Sequence, residues 1–387
     1  MTDDDTYDLI VIGGGIHGLM IALQAAEIGH RTVLLERDRI GAATTAGWFG
    51  ILHGGLRYLQ SLDIRRFRES LADSRWFQCS FPDLVRRQGF LMPLYGQGLK
   101  RPGVFRAAFL TDRILGLDRN SGIARAQALP MGRVLSAREV VRAFPGVLQG
   151  GLTGGALWEE RVVPDTPALM SALVARARAV GLDLRERTTA TELLTDGRNV
   201  TGVRAGDQTW AAPKVVIAAG AQSDALARRF DPRPMAPLGT PARAFNLLID
   251  RAPPSAHGLS LVPPGDDGPM LFAYPSGGRT FAGTAYLPAG ETVTGPIPEA
   301  EIARFLNRLN AALPGFAADP ADVLQVTDGL LPAAEPGAQA LLDRDQIRDH
   351  GASGGPKGLV SLWGVKFTTA PGVARQVLAT VDTARRA

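Results

Sequence analysis

The chain has 387 residues, 45% of them hydrophobic, and its 42 basic and 38 acidic residues leave a net charge of +4. That length accommodates about two domains of roughly 100–200 residues each, with enough apolar side chains for a sizeable core. So weak a charge excess argues against a nucleic-acid partner. The lone cysteine, Cys79, excludes an intramolecular disulfide and a thiolate metal cluster, and is expected to be a buried, inert thiol of a reducing compartment. Five scattered histidines show no metal-ligand spacing, so no metal is expected. The start is acidic and lacks the pattern of a secretory leader, and no apolar run is long enough to span a bilayer. A cytoplasmic location is expected, with peripheral membrane contact left open.

The first elements carry the strongest signal. Leu9 to Ile12 is a short apolar run of the kind buried in a parallel sheet. Gly13, Gly15 and Gly18 follow as GxGxxG. A helix is predicted over 19–28 and is closed by Gly29; a second strand over 31–35 ends at Glu36. In such a unit the first glycine permits a tight turn, the second admits a pyrophosphate and the third lets helix and strand approach. The helix N-terminus offers free N–H groups to the phosphates. Glu36 stands 18 positions after Gly18 (36 − 18), where an acid accepts ribose hydroxyls and disfavours a 2′-phosphate.

Two further segments select FAD over NAD. Thr44, Thr45 and Gly47 belong to a run of small residues just after the second strand, suited to line a phosphate and ribityl chain. Far downstream, 214–221 reads as a buried strand ending at Ala219 and Gly220, which can approach the same nucleotide. A nucleotide site split by intervening chain indicates an α/β Rossmann-like domain into which a second domain is inserted.

Between these parts, 63–80 reads as an amphipathic helix with Ile64, Phe67 and Leu71 on its apolar face. The basic stretch 100–119 mixes arginines with Phe105, Phe109 and Leu110. Ordinary solvated faces account for both, and so does contact with an anionic membrane.

Ile51 to Leu59, reading ILHGGLRYL, resembles the motif of FAD-dependent glycerol-3-phosphate dehydrogenases of the D-amino-acid oxidase-like superfamily. Residues 8–18, 90–93, 215–226, 281–284 and 363–369 resemble further segments of that family, and the sequence stops before the C-terminal helical domain usual in the bacterial enzymes. The resemblance implies an FAD domain of the GR2/DAO type over 1–60, 150–225 and 325–387. A substrate domain on a large antiparallel sheet is then expected over 61–149 and 226–324. It also implies a flavin site including Ile12, His17, Arg37, His53, Gly54, Gly364, Lys366, Phe367 and Thr368. Helix N–H groups after 367 would face the reduced ring, with simple N-capping by threonine as the plain alternative.

Arg57, Tyr58, Arg344 and Lys366 would then bind an anionic group of a small organic substrate. Two departures bear on which substrate. A phosphate-binding arginine of the family is Leu331 here, which removes a bidentate fork. A basic histidine is Asn246, whose amide orients a hydroxyl but accepts no proton. His53 or a neutralised Lys366 would have to take the proton, or else the substrate is an amine. Trp48 and Phe49 put bulk beside the ring or pack against the second domain. The leading expectation is hydride transfer from a C–H bearing a hydroxyl to flavin N5, with electrons passing to a quinone, another carrier or oxygen. An amine or amino-acid oxidase on the same scaffold is the alternative, and a non-catalytic flavin-binding subunit the alternative of another class.

Overall fold

A computed structural model describes residues 6–383 except 97, 266–267, 289, 291–293 and 339; the side chains of 57, 60, 61 and 383 are also outside the described set. Leu9–Ile12 is a fully buried strand, flanked in parallel register by Thr32–Leu35 and Val215–Ile217. Leu359–Trp363 and Asp183–Arg185 extend the parallel sheet on either side, and Gln346–Asp349 closes one edge antiparallel, for six strands among the described residues. The helix runs Ile16–Glu27, three residues earlier than the apolar spacing predicts, because Gly15 already serves as its N-cap. Gly29 ends it at φ +92°, with its N–H on the Ala26 carbonyl at 3.0 Å. Its buried side chains share one core with the helices Thr166–Ala179 and Ala370–Thr383.

The second unit is a nine-stranded sheet, antiparallel except where Gly258–Leu261 pairs with Arg86–Leu94. A fold of an α/β nucleotide-binding region with an inserted, largely antiparallel sheet is therefore what the chain adopts. The strands Gly154–Val162 and Val323–Ala333 hydrogen-bond into this large sheet. All of the first and all but Val323 and Leu324 of the second fall within the 150–225 and 325–387 stretches expected on the flavin side, so the chain crosses between sheets after these strands. Helix Glu299–Ala312 covers one face of the large sheet and builds a second core.

Helix Ile64–Ser80 buries Phe67 and Leu71 as its pattern predicts, but leaves Ile64 exposed, since this residue sits in the first turn beside the capping Asp63. Helix Pro102–Leu115 buries Phe105 and Phe109 and turns Leu110 outward, along with Val104 and Ile114. Among the described residues no helix is long and apolar enough to cross a membrane.

The two sheets are latched near the glycine loop. The Thr44 hydroxyl donates to the Leu330 carbonyl at 3.3 Å and accepts from the Leu330 N–H at 3.0 Å. A Cβ on Gly47 would stand 1.9 Å from the Asp328 carbonyl oxygen, so only glycine lets the loop come this close.

Candidate active site

A cavity of about 1420 Å³ opens at the carboxyl ends of the central parallel strands, where Ile12, Leu35 and Ala218 line it. This is the crevice in which doubly wound sheets bind nucleotides. From there it runs along the latched loop to the segment 364–368 and on to the large sheet.

At the nucleotide end each glycine has a distinct reason to be glycine. On Gly13, at φ +108°, a Cβ would lie 2.5 Å from the Ala218 oxygen; on Gly18 it would lie 1.9 Å from the Gly13 oxygen. Those two serve packing, and Gly18 accordingly stays out of the cavity lining. On Gly15 a Cβ would meet only the Thr45 hydroxyl, at 3.4 Å, so Gly15 keeps the cavity floor low over the helix start. The Thr45 hydroxyl accepts the Ile16 N–H at 2.9 Å and so caps that helix. Glu36 receives the Gly14 N–H at 2.6 Å and the Asp38 N–H at 2.8 Å, which fixes its carboxylate in the wall. Two oxygens with about four acceptor positions still leave room for ribose hydroxyls. Arg37, Ala219 and Gly220 complete this end. An open glycine floor, an uncrowded helix N-terminus and a fixed acid suit a dinucleotide.

The middle of the cavity is set by the segment after Leu359–Trp363. Asp345 holds it from outside, accepting the Val365 N–H at 2.7 Å. His17 packs its ring against Gly364, where a Cβ would come within 2.3 Å of it. Burial holds its imidazole pKa below the ordinary value, and its Nε2 is buried without a hydrogen bond at the cavity wall. Phe367 stacks on Trp48 with centroids 3.8 Å apart. Phe49 sits among Tyr274 and Phe281 and accepts the Tyr274 hydroxyl at 2.7 Å. Both aromatic residues thus pack between elements while still lining the cavity.

At the far end, Lys366 donates to the Tyr58 hydroxyl, and its ammonium lies 4.6 Å from that ring's centroid. Arg66 lies 4.4 Å from the same centroid and donates to the Asp343 carbonyl. His53, Tyr58, Arg66, Thr368 and Lys366 all line the cavity. Arg344 does not: it is 71% exposed and faces Asp63 at 3.8 Å. The first turn of helix Ile64–Ser80 delivers Arg66 to the wall instead, a residue that sequence reasoning left on a solvated face. The side chain of Arg57 lies outside the described residues.

Asn246 lines the cavity but is 3% exposed and fully engaged. Its amide donates to the Gly47 carbonyl at 2.9 Å and accepts the Thr284 hydroxyl at 2.9 Å. Its chief effect is to hold the Gly47 loop to the large sheet. Gly54 stays outside the lining, and its N–H donates to Glu160 at 2.7 Å. Glu160 does line the cavity, and sequence reasoning missed it. The readable signal was the run Glu159-Glu160-Arg161 inside a strand, since acids and arginine seldom occupy buried strand positions. Burial pushes the Glu160 carboxyl up to about 7. Around it stand Phe90, Met92, Phe105, Trp158 and Phe272, an apolar and aromatic wall. Cys79 is exposed, contrary to the buried thiol expected, because its position on helix Ile64–Ser80 faces outward near Ser121 and Gly122.

Comparison with known proteins agrees with this geometry. A family model described as FAD dependent oxidoreductase (DAO) matches residues 8–380. Glycerol-3-phosphate dehydrogenase 1 of Mycobacterium tuberculosis (strain ATCC 25618 / H37Rv) is 30% identical over 392 residues, covering 98% of this chain and 73% of that protein. The glycerol-3-phosphate dehydrogenase of Bacillus halodurans, solved with FAD, superposes with a TM-score of 0.73 at 20% identity, over 99% of this chain and 66% of that one. Glycine oxidase of Geobacillus kaustophilus reaches 0.72 at 19% identity, over 98% and 95%. With the dinucleotide cradle, the split nucleotide segments and a family match over nearly the whole chain, this protein belongs to the DAO family of FAD-dependent oxidoreductases and is an enzyme that carries FAD.

Proposed function

We propose that the protein oxidises a small organic anion at a carbon bearing a hydroxyl group, a carboxylated or phosphorylated alcohol. The observation that carries this reading is the pairing of Lys366 and Arg66 over Tyr58 in the cavity wall. Two cations beside one phenol suit an anionic group on the substrate. FAD, when bound, supplies the two-electron acceptor. On this reading Gly15 and the start of helix Ile16–Glu27 hold its pyrophosphate, Glu36 its ribose, and the backbone of 364–368 its ring.

The residues of the chain then divide the work. Lys366, Tyr58 and Arg66 orient the anion, so that the reacting carbon is carried toward the 364–368 segment. Phe90, Met92, Trp158 and Phe272 exclude water and favour a substrate with an apolar body. Leu331 lines the cavity where the resembling dehydrogenases present an arginine, which disfavours glycerol 3-phosphate relative to a carboxylated alcohol. The names of the relatives support the alcohol chemistry, and the acceptor proposed is a quinone, another carrier or oxygen.

The test is an anaerobic absorbance screen of the flavoprotein against hydroxy acids, polyol phosphates and amines. Bleaching by a carboxylated or phosphorylated alcohol is expected; bleaching by amines alone would replace this reading with an amine oxidase.

We also propose that the outward face of helix Pro102–Leu115 contacts an anionic membrane. Val104, Leu110 and Ile114 are exposed there, beside the exposed Arg106 and Arg113. Co-sedimentation with vesicles rich in anionic phospholipid should fall in the double variant Leu110→Ser/Ile114→Ser; recovery of both proteins in the supernatant would remove the proposal.

A further inference from the structure

We propose that Glu160 is the proton acceptor of the reaction, taking the substrate hydroxyl proton as the C–H hydrogen departs. This assignment rests on the alcohol reading above and names the residue that reading lacks.

Several other polar groups of the cavity are already engaged. The resemblance places a basic histidine at 246, and Asn246 there has both ends of its amide engaged. Lys366 donates its ammonium to Tyr58. Of the carboxylates lining the cavity, Glu36 is bound to the backbone of the nucleotide loop, and Asp343 is exposed beside Arg66. Glu160 differs from both.

It is 6% exposed and lies on the strand Gly154–Val162, where alternation puts Trp158 and Glu160 on one face and Arg161 on the other. Its Oε2 accepts the Gly54 N–H at 2.7 Å, and the Trp158 side chain is a second hydrogen-bond partner. Gly54 separates His53 from Gly55, and both of these line the same cavity. The carboxylate is thus fixed by the loop that leads to Tyr58, so substrate held at Tyr58 and Lys366 shares its chamber. Two donors leave acceptor capacity on the two oxygens.

The charged groups that act on Glu160 are Arg161 on its own strand and Asp112 from helix Pro102–Leu115; His53, next to Gly54 on the adjoining loop, lines the same cavity. Arg161 favours the carboxylate; Asp112 and burial oppose it, and burial is the largest influence. The resulting pKa of about 7 suits a base that is ready at neutral pH and can release its proton afterwards. In the step itself, the C–H bond breaks and its electron pair leaves with the hydrogen to oxidised FAD. The O–H proton passes to the Glu160 carboxylate, and the C–O bond becomes C=O. Substrate loses two electrons, FAD gains two, and the charges balance.

The experiment uses the holoprotein and the alcohol that bleaches it. Anaerobic rapid mixing across neutral pH should show the reduction rate of wild type rising as the group near 7 ionises. Glu160→Gln should slow reduction by roughly 10²–10⁴-fold with substrate affinity retained, and lose that pH limb. Glu160→Asp, which keeps an acid, should recover part of the rate with a displaced limb, and serves if the glutamine variant fails to hold FAD.

A readout independent of turnover is the infrared band of a protonated carboxyl. One component should titrate near 7, vanish in Glu160→Gln and persist in Asp73→Asn, because Asp73 is a second buried carboxyl pushed to about 7 but stands outside the cavity lining. A glutamine variant with wild-type rate and pH limb overturns the assignment and leaves the alcohol reading standing. An aspartate variant with an unshifted limb overturns it as well. Reduction of wild type by amines alone overturns the alcohol reading and this assignment together.

Discussion

The fold buries titratable side chains in two contrasting ways. Around His350, Nδ1 lies 2.7 Å from the Asp231 carboxylate and Nε2 lies 2.9 Å from the Ser361 hydroxyl. The three residues are at most 1% exposed, and Arg233 forks onto the same carboxylate at 2.8 and 2.7 Å. The order and spacing match the acid, imidazole and hydroxyl of a hydrolytic triad, yet none of the three lines the cavity. Each side-chain polar atom is satisfied within the group, and the group ties the loop after helix Ser223–Phe230 to the adjacent strands. Glu160 is buried nearly as deeply, but with fewer partners, a raised pKa and a face on the cavity. A relay of good geometry is structural when it is sealed. A single carboxyl becomes chemically useful when a chamber reaches it and its lone pairs are not all committed.

Substituting His350 should have the larger effect on stability. His350→Ala leaves Ser361 and part of Asp231 without partners and opens space in a packed layer, so it should cost about 2–4 kcal/mol in chemical unfolding. The rate of flavin reduction per bound FAD should stay at the wild-type value. The pH dependence sharpens the contrast. Burial is the main reason the His350 pKa lies below its ordinary 6.5. The unfolded chain therefore takes up a proton that the native chain refuses, and stability falls as pH drops through 6.5. His350→Ala should flatten that slope. A loss of flavin reduction comparable to that expected of Glu160→Gln would erase the distinction between the two regions.

A smaller effect is expected from Leu331→Arg, which returns a guanidinium to the cavity wall opened by the family's departure at this position. Glycerol 3-phosphate should then bind roughly tenfold more tightly, about 1.4 kcal/mol, as read by perturbation of the flavin spectrum. Unchanged affinity would mean that substrate anions are held by Lys366 and Arg66 alone, with the Leu331 wall serving only the apolar body.

Most of the nucleotide end was legible in the residues. Gly13, Gly15, Gly18 and Glu36 lie within one strand–helix–strand unit, so their spacing is set by local geometry and reads directly from the chain. Even there, Thr45 lines the cavity as expected while its hydroxyl also caps a helix, a second task that a hydroxyl in a loop does not announce. At the substrate end, legibility fell with distance along the chain. Arg344 looked right by motif and points to Asp63, whereas Arg66, one helix turn beyond Asp63, stands over Tyr58. An arginine's reach depends on which neighbouring element blocks it, and spacing alone carries no such information.

What the sequence by itself determined is therefore the FAD-binding α/β framework, through apolar runs, glycines and an acid whose physical roles are local. Only the tertiary structure decided that strands 154–162 and 323–333 join the large sheet, that Asn246 is consumed in holding a loop, and that Glu160 borders the chamber. Each of these outcomes is settled by residues far apart in the chain, more than fifty positions in the strand pairings and more than a hundred in the Asn246 and Glu160 contacts, competing for the same hydrogen bonds and the same buried space. That competition has no expression until the chain is folded.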